Sequence, residues 1–291
     1  MTDRLPTIAE SFLDSRDPKP STLLYQEFAS FLLDSVGVSQ FPVPLNQILE
    51  KQGIVRQDGP LIGQRGMLLG NAMFINSDDP VSVQRFTVAH ELMETLTVAL
   101  RAQVFAQASR SDKMRFEKDK EDWCEQGAAW LLMPDQLFRP LVMARGISLE
   151  SGRQIARISQ ASMTAVIRRM LETGLSPCFF ALLHQSYKKR QVVPSKTGQM
   201  LLWGQAEDWD PLAELRVWRW WSSPTVKARL IYNESFPRES LAGWVYAHGQ
   251  NGDIYTRREL LDLEYIEGEH EIEAVAVIIS GERCVIVLGH L

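Results

Sequence analysis

The spacing of apolar positions divides the chain into a helical first part and a strand-rich last part. Residues 1 to about 20 are polar and carry prolines, which predicts a loose arm. "STLLYQEFASFLLDSVGV" repeats apolar residues at helical spacing behind Ser21, a suitable N-cap. "FPVPLNQILEKQGI" predicts a proline-punctuated turn, a short helix from about Pro44 and a stop at Gly53. "IVRQD", "RGMLLG" and "NAMFINS" read as short strands broken by glycine and Asp-Pro. A long helix starts at Pro80 and runs through "RFTVAHELMETLTVAL". "SRSDKMRFEKDKED" is a charged connection or helix start, and "CEQGAAWLLMP" is helical until Pro134.

"PDQLFRPLVMARG" follows, then "ESGRQIARISQASMTAVIRRMLETG". The latter predicts a helix, a turn near Ser159–Ala161, and a helix capped by Ser162 and stopped by Gly174. That shape is a helix-turn-helix. After Pro177 the texture changes. "CFFALLH" is strand-like, "SYKKRQVVPSKTG" is a basic linker or loop, and short strands alternate with turns. "EIEAVAVIISGERCVIVLGHL" reads as a closing hairpin around Ser280-Gly281.

Composition narrows the class. A chain of 291 residues suits roughly two domains with room for a small module. Its 45% hydrophobic and 23% charged residues are ordinary for a globular protein. The net charge of -5 excludes a global polycation, so nucleic-acid contact requires a local basic patch. Cys124, Cys178 and Cys284 are far apart and odd in number, which reads as reduced thiols in a cytoplasmic protein. The N-terminal stretch lacks an apolar signal region, and no apolar run is long enough to cross a bilayer.

The long helix carries the chemistry. His90 and Glu94 are four apart, one turn along one face, so both can share an ion. Glu91 points about 100° away and can stand beside that ion as a general base. H-E-x-x-H on a helix is a zinc-hydrolase signature, and here the second histidine position holds Glu94. A third ligand must come from elsewhere. Glu121 is the leading candidate, with Glu117 and Glu125 as alternatives on its face. Taken alone, the four residues also fit an amphipathic helix with Phe86, Leu92, Met93 and Leu96 inward and both glutamates in solvent.

"QRFTVAHELMETL" followed by "EDWCEQGAAWLLMP" resembles the ImmA/IrrE family of bacterial metallopeptidases, and "FPVPLNQILEKQGI" and "MFINSDDP" look like that family's entry helix and strand. The resemblance covers about residues 25 to 180. It implies an α+β fold with a zincin-like metallopeptidase domain over 1–145, a helix-turn-helix module over 146–178 and a GAF-like α/β regulatory domain over 179–291. It implies His90, Glu94 and Glu121 as metal ligands and Glu91 as the catalytic base. The implied substrate is a helix-turn-helix repressor, cut in response to stress or DNA damage.

Glu94 alters the expected metal chemistry. A His-Glu-Glu set around Zn²⁺ leaves a net charge of about 0 instead of about +1, so it polarises a carbonyl less. Oxygen ligands also favour harder ions, so Mn²⁺ or Fe²⁺ can compete with Zn²⁺. Without metal, Glu91, Glu94 and Glu121 crowd three carboxylates together, and one of them should hold a proton. In that case the chain is a pseudoprotease without a cofactor, acting by binding a repressor or single-stranded nucleic acid. A further alternative is a direct DNA-binding regulator using the helix-turn-helix, whose arginines are Arg153, Arg157, Arg168 and Arg169. The C-terminal part holds Trp203, Trp209, Trp218, Trp220, Trp221 and Trp244. In "RVWRWWSSPTVKAR", Arg216, Trp218, Arg219, Trp220 and Trp221 could grip single-stranded DNA as an activator, with Lys227 and Arg229 nearby, or could simply be a strand with tryptophans in a core. His184, His248, His270 and His290 have no mutual ligand spacing and read as surface or structural.

Overall fold

A computed structural model describes residues 8–14, 19–104, 109–186, 213–227, 229–263 and 265–291. The fold is α+β. Internal contacts divide it into two compact units, Met1–Ala144 with Gln154–Val166, and Arg145–Arg153 with Ile167–Leu291. The basic segment "KKRQVVPSKTG" and Trp203 and Trp209 lie outside the described residues.

The first unit contains α1 (Ile8–Leu13), α2 (Thr22–Val36), α3 (Leu45–Lys51), β1 (Val55–Gly59), β2 (Gly66–Leu69), β3 (Ala72–Asn76), α4 (Val81–Val104) and α5 (Arg110–Leu132). α6 (Asp135–Arg145) follows after Pro134. Ser21 caps α2 by accepting from the Leu24 N–H, and Gly37 ends it in the left-handed region. The segment expected as a loose arm is partly helical. Ala9, Phe12 and Leu13 of α1 are buried, and the Phe12 ring sits 5.1 Å from Phe28 and 5.4 Å from Phe31. Burial of three apolar side chains offsets the cost of ordering a six-residue helix.

β3 is the central strand of a three-stranded sheet, parallel to β1 and antiparallel to β2, which leaves β2 at an edge. α4 lies against β2 and β3. Its buried stripe is Val88, Ala89, Leu92, Met93, Leu96, Thr97 and Leu100, the period of a helix half sunk in a core. α4 packs on α5, and α5 on α2, at very close range. A Cβ on Gly127 of α5 would lie 2.6 Å from Met93 Sδ and 3.1 Å from Tyr25 Cβ, so any larger residue forces Met93 and Tyr25 to shift.

α7 (Leu149–Ser159) and α8 (Met163–Glu172) are joined by a turn with Gln160 at φ 54°, and Ser162 Oγ accepts from the Ala165 N–H at 3.2 Å. The second unit is built on an antiparallel five-stranded sheet of β4 (Cys178–Ser186), β5 (Glu214–Ser222), β6 (Ile254–Leu263), β7 (Ile266–Ile279) and β8 (Glu282–His290), in the order β5-β4-β8-β7-β6. Ser280 and Gly281 both have positive φ (52° and 84°), as a two-residue hairpin of β7 and β8 requires. α9 (Leu241–His248) was not legible as a helix: its side chains are apolar nearly all round. Ser240 fixes it by accepting from the Gly243 N–H, and Leu241, Ala242 and Val245 join the sheet core with Phe179, Leu183 and Val287.

Candidate metal centre

The unburied stripe of α4 is where the candidate chemistry lies. His90, Glu91, Glu94 and Thr95 line a cleft of about 1340 Å³, together with Gly66, Met67 and Leu68 of β2 and Ile8 to Ser11 of α1. β2 can lie this close to the helix because residue 66 is glycine: a Cβ there would meet Thr87 Cγ2 at 2.5 Å. The same approach lets Leu68 donate a backbone hydrogen bond to the Glu91 carboxylate.

α5 brings the third acid. His90 Nε2 lies 3.7 Å from Glu121 Oε2, and one ligand atom each from His90, Glu94 and Glu121 lie within 4.8 Å of one another. A tetrahedral ion with bonds of about 2.0–2.2 Å holds its ligand atoms roughly 3.3–3.6 Å apart, so a small closing of the set suffices. One nitrogen and two carboxylates suit a divalent first-row ion chemically. Glu117 points elsewhere: it forms a two-pronged bridge to Arg101 at 3.0 and 2.8 Å and pairs with Lys120 at 3.3 Å. Glu125 is exposed and outside the set.

Charge crowding is visible at Glu91. Burial first, then the carboxylates of Glu94 and Glu121, push its pKa above the ordinary carboxylate value, against the pull of His90 and the Leu68 N–H. Behind the site, Cys124 Sγ reaches Glu94 Oε1 at 3.6 Å, Thr97 Oγ1 lies 3.2 Å from Cys124 Sγ, and the Tyr25 hydroxyl lies 2.7 Å from Thr97. Burial pushes the Cys124 thiol to about 12 and raises the Tyr25 phenol as well, so both keep their protons near neutrality. No sequence motif marks these three residues; they meet only when α2, α4 and α5 pack.

The tryptophan-arginine run occupies β5. Arg216 is fully buried, with its guanidinium donating to the Ser186 and Asn233 carbonyls and paired with Glu214. Trp220 packs against the sheet core, and Trp221 stacks on Phe180 at 5.2 Å with Arg168 over its ring. Arg219 is exposed and lies over Trp218, whose ring neighbours His184. His290 is structural in kind, bonded to Glu273 at 2.9 Å and to Cys178 Sγ at 3.4 Å.

The geometry defines a two-helix candidate metal centre beside an edge strand. Residues 49–171 match the model of the IrrE N-terminal-like domain of the M78 peptidases. Over 112 residues the chain is 29% identical to the radiation response metalloprotease IrrE of Deinococcus deserti, a stretch that is 38% of this chain and 40% of that relative. Over this stretch the chain is similar to the ImmA/IrrE family of metallopeptidases. A transcriptional regulator of Mycobacterium tuberculosis shares the fold over 97% of this chain and 79% of its own, with a TM-score of 0.57 at 12% identity. No helix among the described residues is long and apolar enough to cross a membrane.

Proposed function

We propose that the chain is a divalent-metal-dependent endopeptidase whose substrate is a helix-turn-helix repressor. The observation that carries this reading is the convergence of His90, Glu94 and Glu121 from two helices beside the half-buried Glu91. His90, Glu94 and Glu121 would hold the ion, with Zn²⁺, Mn²⁺ or Fe²⁺ as candidates. A divalent ion supplies Lewis acidity, polarising a carbonyl and lowering the pKa of a water. Glu91 would take the proton of the attacking water and return it to the departing amine. The edge strand β2 flanks the same cleft and can pair with an extended peptide, holding the scissile bond near Glu91.

The test is incubation of the metal-loaded chain with a helix-turn-helix repressor encoded beside it. The reading expects a defined cut, slowed by about 10²–10⁴-fold in Glu91→Gln. Binding of the repressor without any cut by the wild type would replace it with the occupancy reading, which the Glu94 substitution favours. The α7–α8 pair serves in this proposal as a helix-turn-helix-shaped module, and the C-terminal unit as a GAF-like sensor that makes cutting conditional. Exposed Arg219 over Trp218 supports single-stranded DNA as one such signal. Adding single-stranded DNA should then change the cleavage rate of the full chain without changing its metal content; an unchanged rate removes that activator.

A further inference from the structure

Glu94 ends a line of three polar side chains that the reaction above does not use. Cys124 Sγ is 3.6 Å from Glu94 Oε1, a normal reach for a thiol donor because sulfur is larger than oxygen. Thr97 Oγ1 is 3.2 Å from that sulfur, and the Tyr25 hydroxyl is 2.7 Å from Thr97. The three residues come from α5, α4 and α2, and each is 0% exposed. Polar groups this deep need partners. These partner one another in a line that ends on the carboxylate.

The end of the line fixes its direction. A ligand carboxylate has lone pairs only, so the Cys124 thiol hydrogen must point at Glu94. The sulfur then accepts from the Thr97 hydroxyl, and the Thr97 oxygen accepts from the Tyr25 phenol. This chain of donors meets a need created by residue 94 itself. A glutamate loses more rotamer freedom than most side chains when it is held in one pose. Groups hydrogen-bonded to a metal ligand commonly supply the missing orientation.

We propose that Cys124, backed by Thr97 and Tyr25, is a positioning residue that holds Glu94 in its ligand pose. The inference rests on the metal-centre reading above and goes beyond it by assigning three residues of the surrounding shell. The experiment titrates the metal-stripped full chain with Zn²⁺, and separately with Mn²⁺, while the thermal midpoint of the metal-free protein reports on packing. Cys124→Ala should weaken metal binding about 10–100-fold. Thr97→Val, which keeps the shape and removes the hydroxyl, should weaken it by less, and Thr97→Ser should restore it. The Thr97 pair decides the question if Cys124→Ala fails to fold. Variants that lower the metal-free midpoint yet bind metal as the wild type does overturn the positioning role and leave the metal centre standing. A wild type that binds no metal overturns both. With Co²⁺, the proposal expects no thiolate charge-transfer band; a band abolished by Cys124→Ala would make Cys124 a ligand and overturn the positioning role.

Discussion

At the scale of single residues, the site turns on how one carboxylate is used. Glu94→His replaces an anionic ligand with a neutral one and raises the net charge of the loaded site from about 0 to about +1. We expect tighter Zn²⁺ binding and faster cleavage in that variant, measured by metal titration and by the repressor assay; weaker binding would mean that the pocket is shaped for glutamate alone. His90, Glu91 and Glu94 were legible because helical periodicity alone puts four-apart residues on one face. Glu121 needed the second motif to distinguish it from Glu117; in the structure Glu117 is engaged by Arg101, while Glu121 lies beside His90. Cys124, Thr97 and Tyr25 were not legible. Their contacts span 27, 30 and 72 positions of sequence and carry no local pattern.

At the scale of elements, the site depends on how closely helices and strand approach one another. Gly127 lets α5 lie against α4 and α2, and Gly66 lets β2 lie over Thr87. Gly127→Val should destabilise the protein by about 1–3 kcal/mol through overpacking, read as a lower midpoint in chemical denaturation. An unchanged midpoint would show that the helices can part freely. The long elements followed directly from apolar spacing: α2, α4 and the β7–β8 hairpin begin and end near their sequence signals. Two short helices did not. α1 is held by tertiary burial of Phe12, and α9 is apolar on nearly every side, so periodicity could not distinguish it from a strand. The tryptophan run was legible as a strand, but its division into buried Arg216 and exposed Arg219 was not. A bulge between Leu182 and Leu183 shifts the register of β5 against β4 and brings Arg216 and Arg219 to one face, where the Ser186 and Asn233 carbonyls hold only Arg216.

At the scale of the whole molecule, the second unit carries a pH-sensitive contact of its own. The contacts of His290 with Cys178 and Glu273 raise its pKa from 6.5 to about 10. A raised pKa in the folded state stabilises fully below the unfolded value and is lost as pH rises through the folded one. Between about pH 6.5 and 9 the wild type should therefore lose thermal stability faster than His290→Gln does. Parallel curves would show that the imidazole is not held charged. Under the proposed function, metal would act on the other unit, which carries His90, Glu94 and Glu121. The most direct test of the account is the metal content of the full chain purified without chelator and dialysed to equilibrium against a divalent ion. The account predicts about one equivalent in the wild type and in Glu91→Gln, with the ion lost in Glu94→Ala and in Glu121→Ala. Less than about a tenth of an equivalent of any transition metal in the wild type would contradict it.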